Sequence, residues 1–192
     1  MRAADADILI IPGWSGSEED NRQSRRERSL TTASRVVQEE WYEPDLGAWT
    51  ARIRLLVQEA RRPVVLVAHS LGVIATVHAA PLLKDGNVAG AFLVAPADVD
   101  NADKWPVTLG YDPCKSILGF APVPTERLPF PATLVASAND PYCTLERAKE
   151  LAEAWGATLV ETGDCGHLNV DSGHGAWPEG LLRFGLFMKT LG

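Results

Sequence analysis

A serine stands where a run of branched apolar residues gives way at once to helix-like spacing, in "VVLVAHSLGVIATVHAA", residues 64–80. A serine hydroxyl is a weak nucleophile until a base takes its proton and hydrogen-bond donors await the carbonyl oxygen it attacks. A sharp strand-to-helix turn meets part of that need. It lifts the side chain clear of the sheet, and it sets the next residue's N–H at a helix N-terminus, whose partial positive charge favours an oxyanion. The flanking residues must be small, and Ala68 and Gly72 flank Ser70 in the pattern A-x-S-x-G. Glycine is usual in the first place; alanine meets the packing need with less backbone freedom. The plain alternative is that Ser70 does no more than cap the helix behind it.

A base and an acid are needed beside that hydroxyl. Asp140, in "ANDPY", follows the apolar stretch Ala132 to Ser137, and His167, in "TGDCGH", follows Thr158 to Glu161. In doubly wound sheets functional groups gather at the C-terminal strand ends, and the order Ser70, Asp140, His167 is the chain order of α/β-hydrolases. Such a set performs acyl transfer. Asp98, in "APADVD" after the stretch Gly90 to Ala95, is the rival acid. Of the other histidines, His78 reads as a packed or surface residue, His174 as support for His167, and His69 as pointing away from the site. Cys165, two residues from His167, is assigned no role. For the oxyanion, Leu71 N–H is one candidate donor and Trp14 N–H, in the turn "IPGWSGS", the other; a plain glycine bend is the alternative there.

The elements that must position these groups are visible in the alternation of apolar runs with helical spacing, the signature of βα units and a mostly parallel sheet. Candidate strands are Ile8 to Pro12, Arg35 to Gln38, Val64 to Ala68, Gly90 to Ala95, Ala132 to Ser137 and Thr158 to Glu161. Their near-continuous apolar character calls for helices on both faces. One helical stripe runs Leu46, Trp49, Ile53, Leu56, Val57, Ala60 behind the N-cap Asp45, and a second Leu145, Ala148, Leu151, Ala152, Trp155 behind Thr144. A third starts at Pro178 and passes Leu181, Leu182, Phe184 and Leu186 to Met188; all three are read as core faces. Two segments break the rhythm. The charged stretch Ser15 to Ser29 reads as a loop and a solvated helix. The proline-rich Asp98 to Phe130, with Trp105, Tyr111 and Phe120, reads as a border of the site.

With 192 residues the chain has the length of one domain, read as 1–192, and a composition of 46 % hydrophobic and 22 % charged residues suits a globular fold. A net charge of −7 gives no general attraction to nucleic acid or to anionic membranes. No apolar run is long enough for a membrane span or a secretory signal core, so a cytoplasmic protein is expected. The cysteines, Cys114, Cys143 and Cys165, are odd in number and form no C-x-x-C pair, so reduced thiols are expected, with no metal and no cofactor. The basic cluster Arg22, Arg25, Arg26, Arg28 is a solvated helix face or a means of steering anions.

The chain resembles the small serine hydrolase family that includes retinoblastoma-binding protein 9 and YdeN. The resemblance rests on "PGWSGS", "EEWYEPDLGAW", "VVLVAHSLG", "LVAPAD", "FAPVPTERLPFPATLVASANDPY", "LAEAWGATLV" and "GDCGHLNVDSGHGAWPEG", and covers nearly the whole chain. It implies a compact α/β-hydrolase core of six strands without a large cap domain, and Ser70, Asp140 and His167 as the triad. One departure is that Asn21-Arg22-Gln23 stand where members often carry His-Trp-Gln, which bears on the pocket wall and not on the triad. The expected function is hydrolysis of small esters or amides through an acyl-enzyme on Ser70. The competing readings are a hydrolase fold kept only for binding a protein partner, and an aminopeptidase-like amidase.

Overall fold

The structure is a computed structural model that describes residues 1–16, 32–84, 86–106, 115, 117–174 and 177–192. The charged stretch after Gly16, with its arginine cluster and Asn21-Arg22-Gln23, lies outside the described residues, as do Tyr111 and Cys114.

Six strands form one parallel sheet: β1 (Asp7–Ile11), β2 (Ala33–Arg35), β3 (Val64–Ser70), β4 (Val88–Pro96), β5 (Ala132–Ala136) and β6 (Thr158–Glu161), in the order β2-β1-β3-β4-β5-β6. Side chains alternate across a strand, and the core divides accordingly. Leu9, Ile11, Leu66, Ala68, Leu93 and Leu134 face one side, where α1 (Leu46–Glu59), α2 (Leu71–Ala79) and α3 (Leu145–Trp155) pack on them. Ile8, Ile10, Val65, Val67, Phe92, Val94 and Val135 face the other, covered by Phe184, Phe187 and Met188 of α4 (Pro178–Thr190). Burial on both faces is why these strands lack polar alternation.

The helices begin as their sequences dictate. The Asp45 carboxylate accepts the Ala48 N–H at 2.7 Å, the Thr144 hydroxyl accepts the Arg147 N–H at 3.2 Å, and Gly156 closes α3 in the left-handed region at φ 66°. Pro178 opens α4 at its first turn.

Three expectations need correction. The second strand was expected at Arg35 to Gln38 but spans Ala33–Arg35; Val36 still donates its N–H to the Ile10 carbonyl at 2.8 Å, after which the chain leaves the ladder while Val36 and Gln38 stay buried. Burial there marks packing, not pairing. On α4 the expected stripe mixes two faces: Phe184 and Met188 are buried with Phe187 and Gly180, but Leu181, Leu182 and Leu186 are exposed. Within the Asp98 to Phe130 connection, Phe120 does not border the site. It is fully buried, edge-on to Trp49 at 5.6 Å between ring centroids.

Candidate active site

The strand order reverses between β1 and β3, which lie side by side, so the loops leaving their C-terminal ends diverge and open a crevice. Strand β3 runs two residues past the expected end and carries His69 and Ser70 into it. Ser70 then turns into α2 with φ 57° and ψ −128°. A non-glycine residue held there costs of order 1–3 kcal/mol, and its surroundings explain how it is enforced. A Cβ on Gly72 would lie 2.4 Å from the carbonyl oxygens of both Ile11 and Pro12, and one on Gly13 would lie 2.6 Å from Ser70 Cβ. Only glycines let the β1 loop close on the turn. The Ser70 hydroxyl makes no capping bond to α2, so the capping alternative fails.

The hydroxyl instead meets an imidazole: Ser70 Oγ lies 2.8 Å from His167 Nε2. His167 Nδ1 lies 2.9 Å from both carboxylate oxygens of Asp140. A carboxylate only accepts, so Nδ1 carries the hydrogen and Nε2 is left to accept from Ser70. The His167 and Asp140 side chains are 9 % and 2 % exposed, so little water competes for these bonds.

The two loops that bring Asp140 and His167 together are tied to each other. Ser137 Oγ accepts the Cys165 N–H at 2.9 Å and lies 3.0 Å from Asn139 Oδ1 and 3.1 Å from the Gly163 carbonyl. Asn139 Oδ1 accepts the Gly166 N–H at 2.6 Å, and Ala138 N–H donates to the Gly163 carbonyl at 2.8 Å. Tyr142 N–H donates to Asp140 Oδ1 at 2.9 Å. Sequence reasoning passed over Ser137, Asn139 and Tyr142; the signal available was the polar cluster packed into "SANDPY" directly at a strand end.

His69 does not point away as expected. Its Nε2–H donates to the His167 carbonyl at 2.9 Å, and its ring centroid lies 4.8 Å from that of His167. Tyr142 packs on the His167 ring at 4.5 Å, so one ring from β3 and one from the loop after β5 contact the imidazole. The reason is the extension of β3, which keeps position 69 on the face of Val65 and Val67, where Leu168 also packs. His78 is a packed histidine that donates to the Phe120 carbonyl at 2.8 Å. His174 lies 3.3 Å from Ser172 Oγ and edge-on to Trp177; within its loop it makes no contact with the His167 ring.

Asp98, the rival acid, is buried and committed elsewhere. It accepts from Asn101 Nδ2 at 2.8 Å and pairs with Arg147 at 3.4 Å. Burial works against the Arg147 charge, but the Glu150, Asp98 and Asp100 carboxylates outweigh it and hold the guanidinium pKa above its ordinary value. Behind them, burial and then the Asp98 and Asp140 charges push the Cys143 thiol up, which keeps it protonated.

A cavity of about 250 Å³ opens over Ser70, bounded by Trp14, Leu71, Trp105, Ile117, Tyr142 and Asp171 among others. Leu71 is the first residue of α2, so its N–H belongs to the turn whose donors have no intrahelical acceptor. Trp14 follows Gly13 in a turn closed by the Gly16 N–H on the Gly13 carbonyl at 3.2 Å. Among the described residues no His, Cys, Asp and Glu side chains are grouped as a metal site requires, and no helix is long and apolar enough to cross a membrane.

A parallel sheet in this order, a strained serine between β3 and a helix, and an imidazole and carboxylate from the last two strand ends are the features of the α/β-hydrolase fold. The serine hydrolase family model matches residues 8–185, and the chain belongs to that family. A protein described as a YdeN-like hydrolase from Pectobacterium atrosepticum is similar at 32 % identity and TM-score 0.81, over 97 % of this chain and 92 % of its own. The ydeN gene product from B. subtilis is similar at 20 % identity and TM-score 0.66, over 95 % and 98 %. Est1E from Butyrivibrio proteoclasticus shares the fold at 15 % identity and TM-score 0.68, over 96 % and 87 %. No curated protein matches the sequence.

Proposed function

We propose that the protein is an esterase that cleaves small carboxylic esters through an acyl-enzyme on Ser70. The observation that carries this reading is the 2.8 Å contact between Ser70 Oγ and an unprotonated His167 Nε2 whose other nitrogen is fixed by Asp140. In the first step His167 takes the Ser70 proton as Oγ attacks the ester carbonyl carbon, and Asp140 stabilises the imidazolium that forms. The negative oxygen is received by the N–H groups of Leu71 and Trp14; loss of one such donor costs about 3 kcal/mol in the transition state. His167 then returns its proton to the leaving alkoxide. In the second half the same nitrogen takes a proton from water, whose oxygen attacks the acyl carbon and releases the acid and Ser70.

A cavity of about 250 Å³ is below the usual range for drug-sized ligands, about 300–1,000 Å³, which favours short acyl groups. Est1E supports the class, since its name and its ferulic acid complex belong to a protein of this fold. The reading takes residues 1–192 as one domain acting in the cytoplasm on a small-molecule ester.

A fluorophosphonate probe tests it, because only an activated serine is phosphonylated. Wild type is expected to label at Ser70 and to hydrolyse p-nitrophenyl acetate. Ser70→Ala is expected to lose the label and turnover, leaving about 10³-fold catalysis over water. A wild-type protein that neither labels nor turns over a series of short esters would place the fold among protein-binding modules instead.

A further inference from the structure

Helix α4 is apolar on two faces, and among the described residues only one of them is covered. Phe184, Phe187 and Met188 bury against the sheet, while Leu181, Leu182 and Leu186 are 52, 65 and 53 % exposed. These leucines border one shallow groove with Pro178, Gly185 and Lys189, residues that recur about every three to four positions and so form a continuous stripe along the helix. A helix apolar all round belongs in an interior, and contiguous exposed leucines mark a surface that has an occupant.

The charges on α4 say which occupant. Glu179 lies in the first turn and Lys189 in the last. Glu179, its side chain 52 % exposed, accepts from Arg183 Nε on its own helix at 3.1 Å, and Lys189 is exposed with no ion pair among the described residues. Leu182 and Leu186 sit two residues either side of position 184, and Glu179 and Lys189 sit five either side. A twofold axis at the level of residue 184, crossing two antiparallel copies of the helix, therefore sets Leu182 of one copy level with Leu186 of the other, and Glu179 level with Lys189. Gly185 stands next to that axis, and a Cβ built on it meets nothing within 4 Å, so the backbones are free to approach. A parallel arrangement would bring Lys189 against Lys189 and align the helix dipoles unfavourably.

We propose that this face of α4 is an isologous interface for a second copy of the chain, packed antiparallel through Leu181, Leu182 and Leu186 and closed at each end by Lys189 on Glu179. Self-complementarity about a twofold is what such an interface requires. The face is roughly 20 Å long, a small contact, so association is expected to be reversible.

Sedimentation velocity over roughly 1–300 µM protein, a span chosen around micromolar affinity, tests the proposal. Wild type is expected to shift from monomer to dimer across the series. Leu182→Glu, Lys189→Glu and Glu179→Lys are each expected to weaken association by about tenfold or more, and the double variant Glu179→Lys/Lys189→Glu to restore it. Circular dichroism and ester turnover per protomer control for folding, since none of these residues borders the Ser70 cavity. A wild type monomeric throughout would overturn the proposal, as would association that the single charge reversals leave unchanged or the double reversal fails to restore. Monomeric protein that sediments with phosphatidylcholine vesicles through the leucines would also overturn it, in favour of a lipid surface.

Discussion

Asp140→Asn isolates the orientation of one proton. The Asp140 carboxylate accepts the Tyr142 N–H on Oδ1 at 2.9 Å, and the His167 Nδ1–H lies 2.9 Å from both oxygens. Asparagine has the same size but replaces one oxygen with an NH₂. The Tyr142 N–H can only donate, so the amide oxygen takes the Oδ1 position and the NH₂ takes that of Oδ2, and Nδ1 then meets one acceptor and one donor. The NH₂ seeks an acceptor on Nδ1, which favours the tautomer that carries its hydrogen on Nε2. That nitrogen then donates to Ser70 Oγ instead of accepting from it, and the base is lost. In the general serine-hydrolysis template, this acid-to-amide change lowers kcat about 10⁴-fold, or roughly 5.4 kcal/mol at 1.36 kcal/mol per tenfold. The residues around the cavity are unchanged, so KM for p-nitrophenyl acetate should move little while kcat falls. Asp98→Asn is the matched control: it loosens the hold on Arg147 and Asn101 and is expected to lower the Tm while sparing kcat. A folded Asp140→Asn with kcat within about tenfold of wild type, or an Asp98→Asn that loses turnover instead, would refute the assignment of the acid.

Gly72→Ala drives a methyl to 2.4 Å from two backbone carbonyl oxygens that no rotamer change relieves; a loss of about 1–3 kcal/mol is expected, read as a Tm lower by about 2–12 °C, and an unchanged Tm would contradict it. His69→Leu removes the donor to the buried His167 carbonyl and is expected to cost about 1–3 kcal/mol, with a drop in kcat. His69→Gln keeps a side-chain donor at that place and should recover part of the lost kcat; equal losses in both variants would mean that packing, not the hydrogen bond, holds His167.

What could be read from the chain before any coordinates divides by the kind of signal each residue carries. Strands buried on both faces announce themselves in "ILII", "VVLVA" and "GAFLVA", and turn chemistry just past them marks the sheet edge where Ser70, Asp140 and His167 meet. Edge strand β2 carries no such mark, because one ladder of backbone bonds suffices there and its side chains are free to be Ala33, Ser34 and Arg35. The α4 stripe misled for the opposite reason: periodicity reports that a face is apolar and is silent on what covers it, so Leu182 and Phe184 look alike in sequence though one is 65 % and the other 3 % exposed. His69 is the third case. Alternation puts it on the face of Val65 and Val67 once the strand is known to run past Ala68 to Ser70, and residue types alone do not mark where that strand ends. The same extension carries Ser70, at φ 57°, into the turn and His69 onto the His167 carbonyl. One strand end thus presents the proposed nucleophile and anchors the loop of its base.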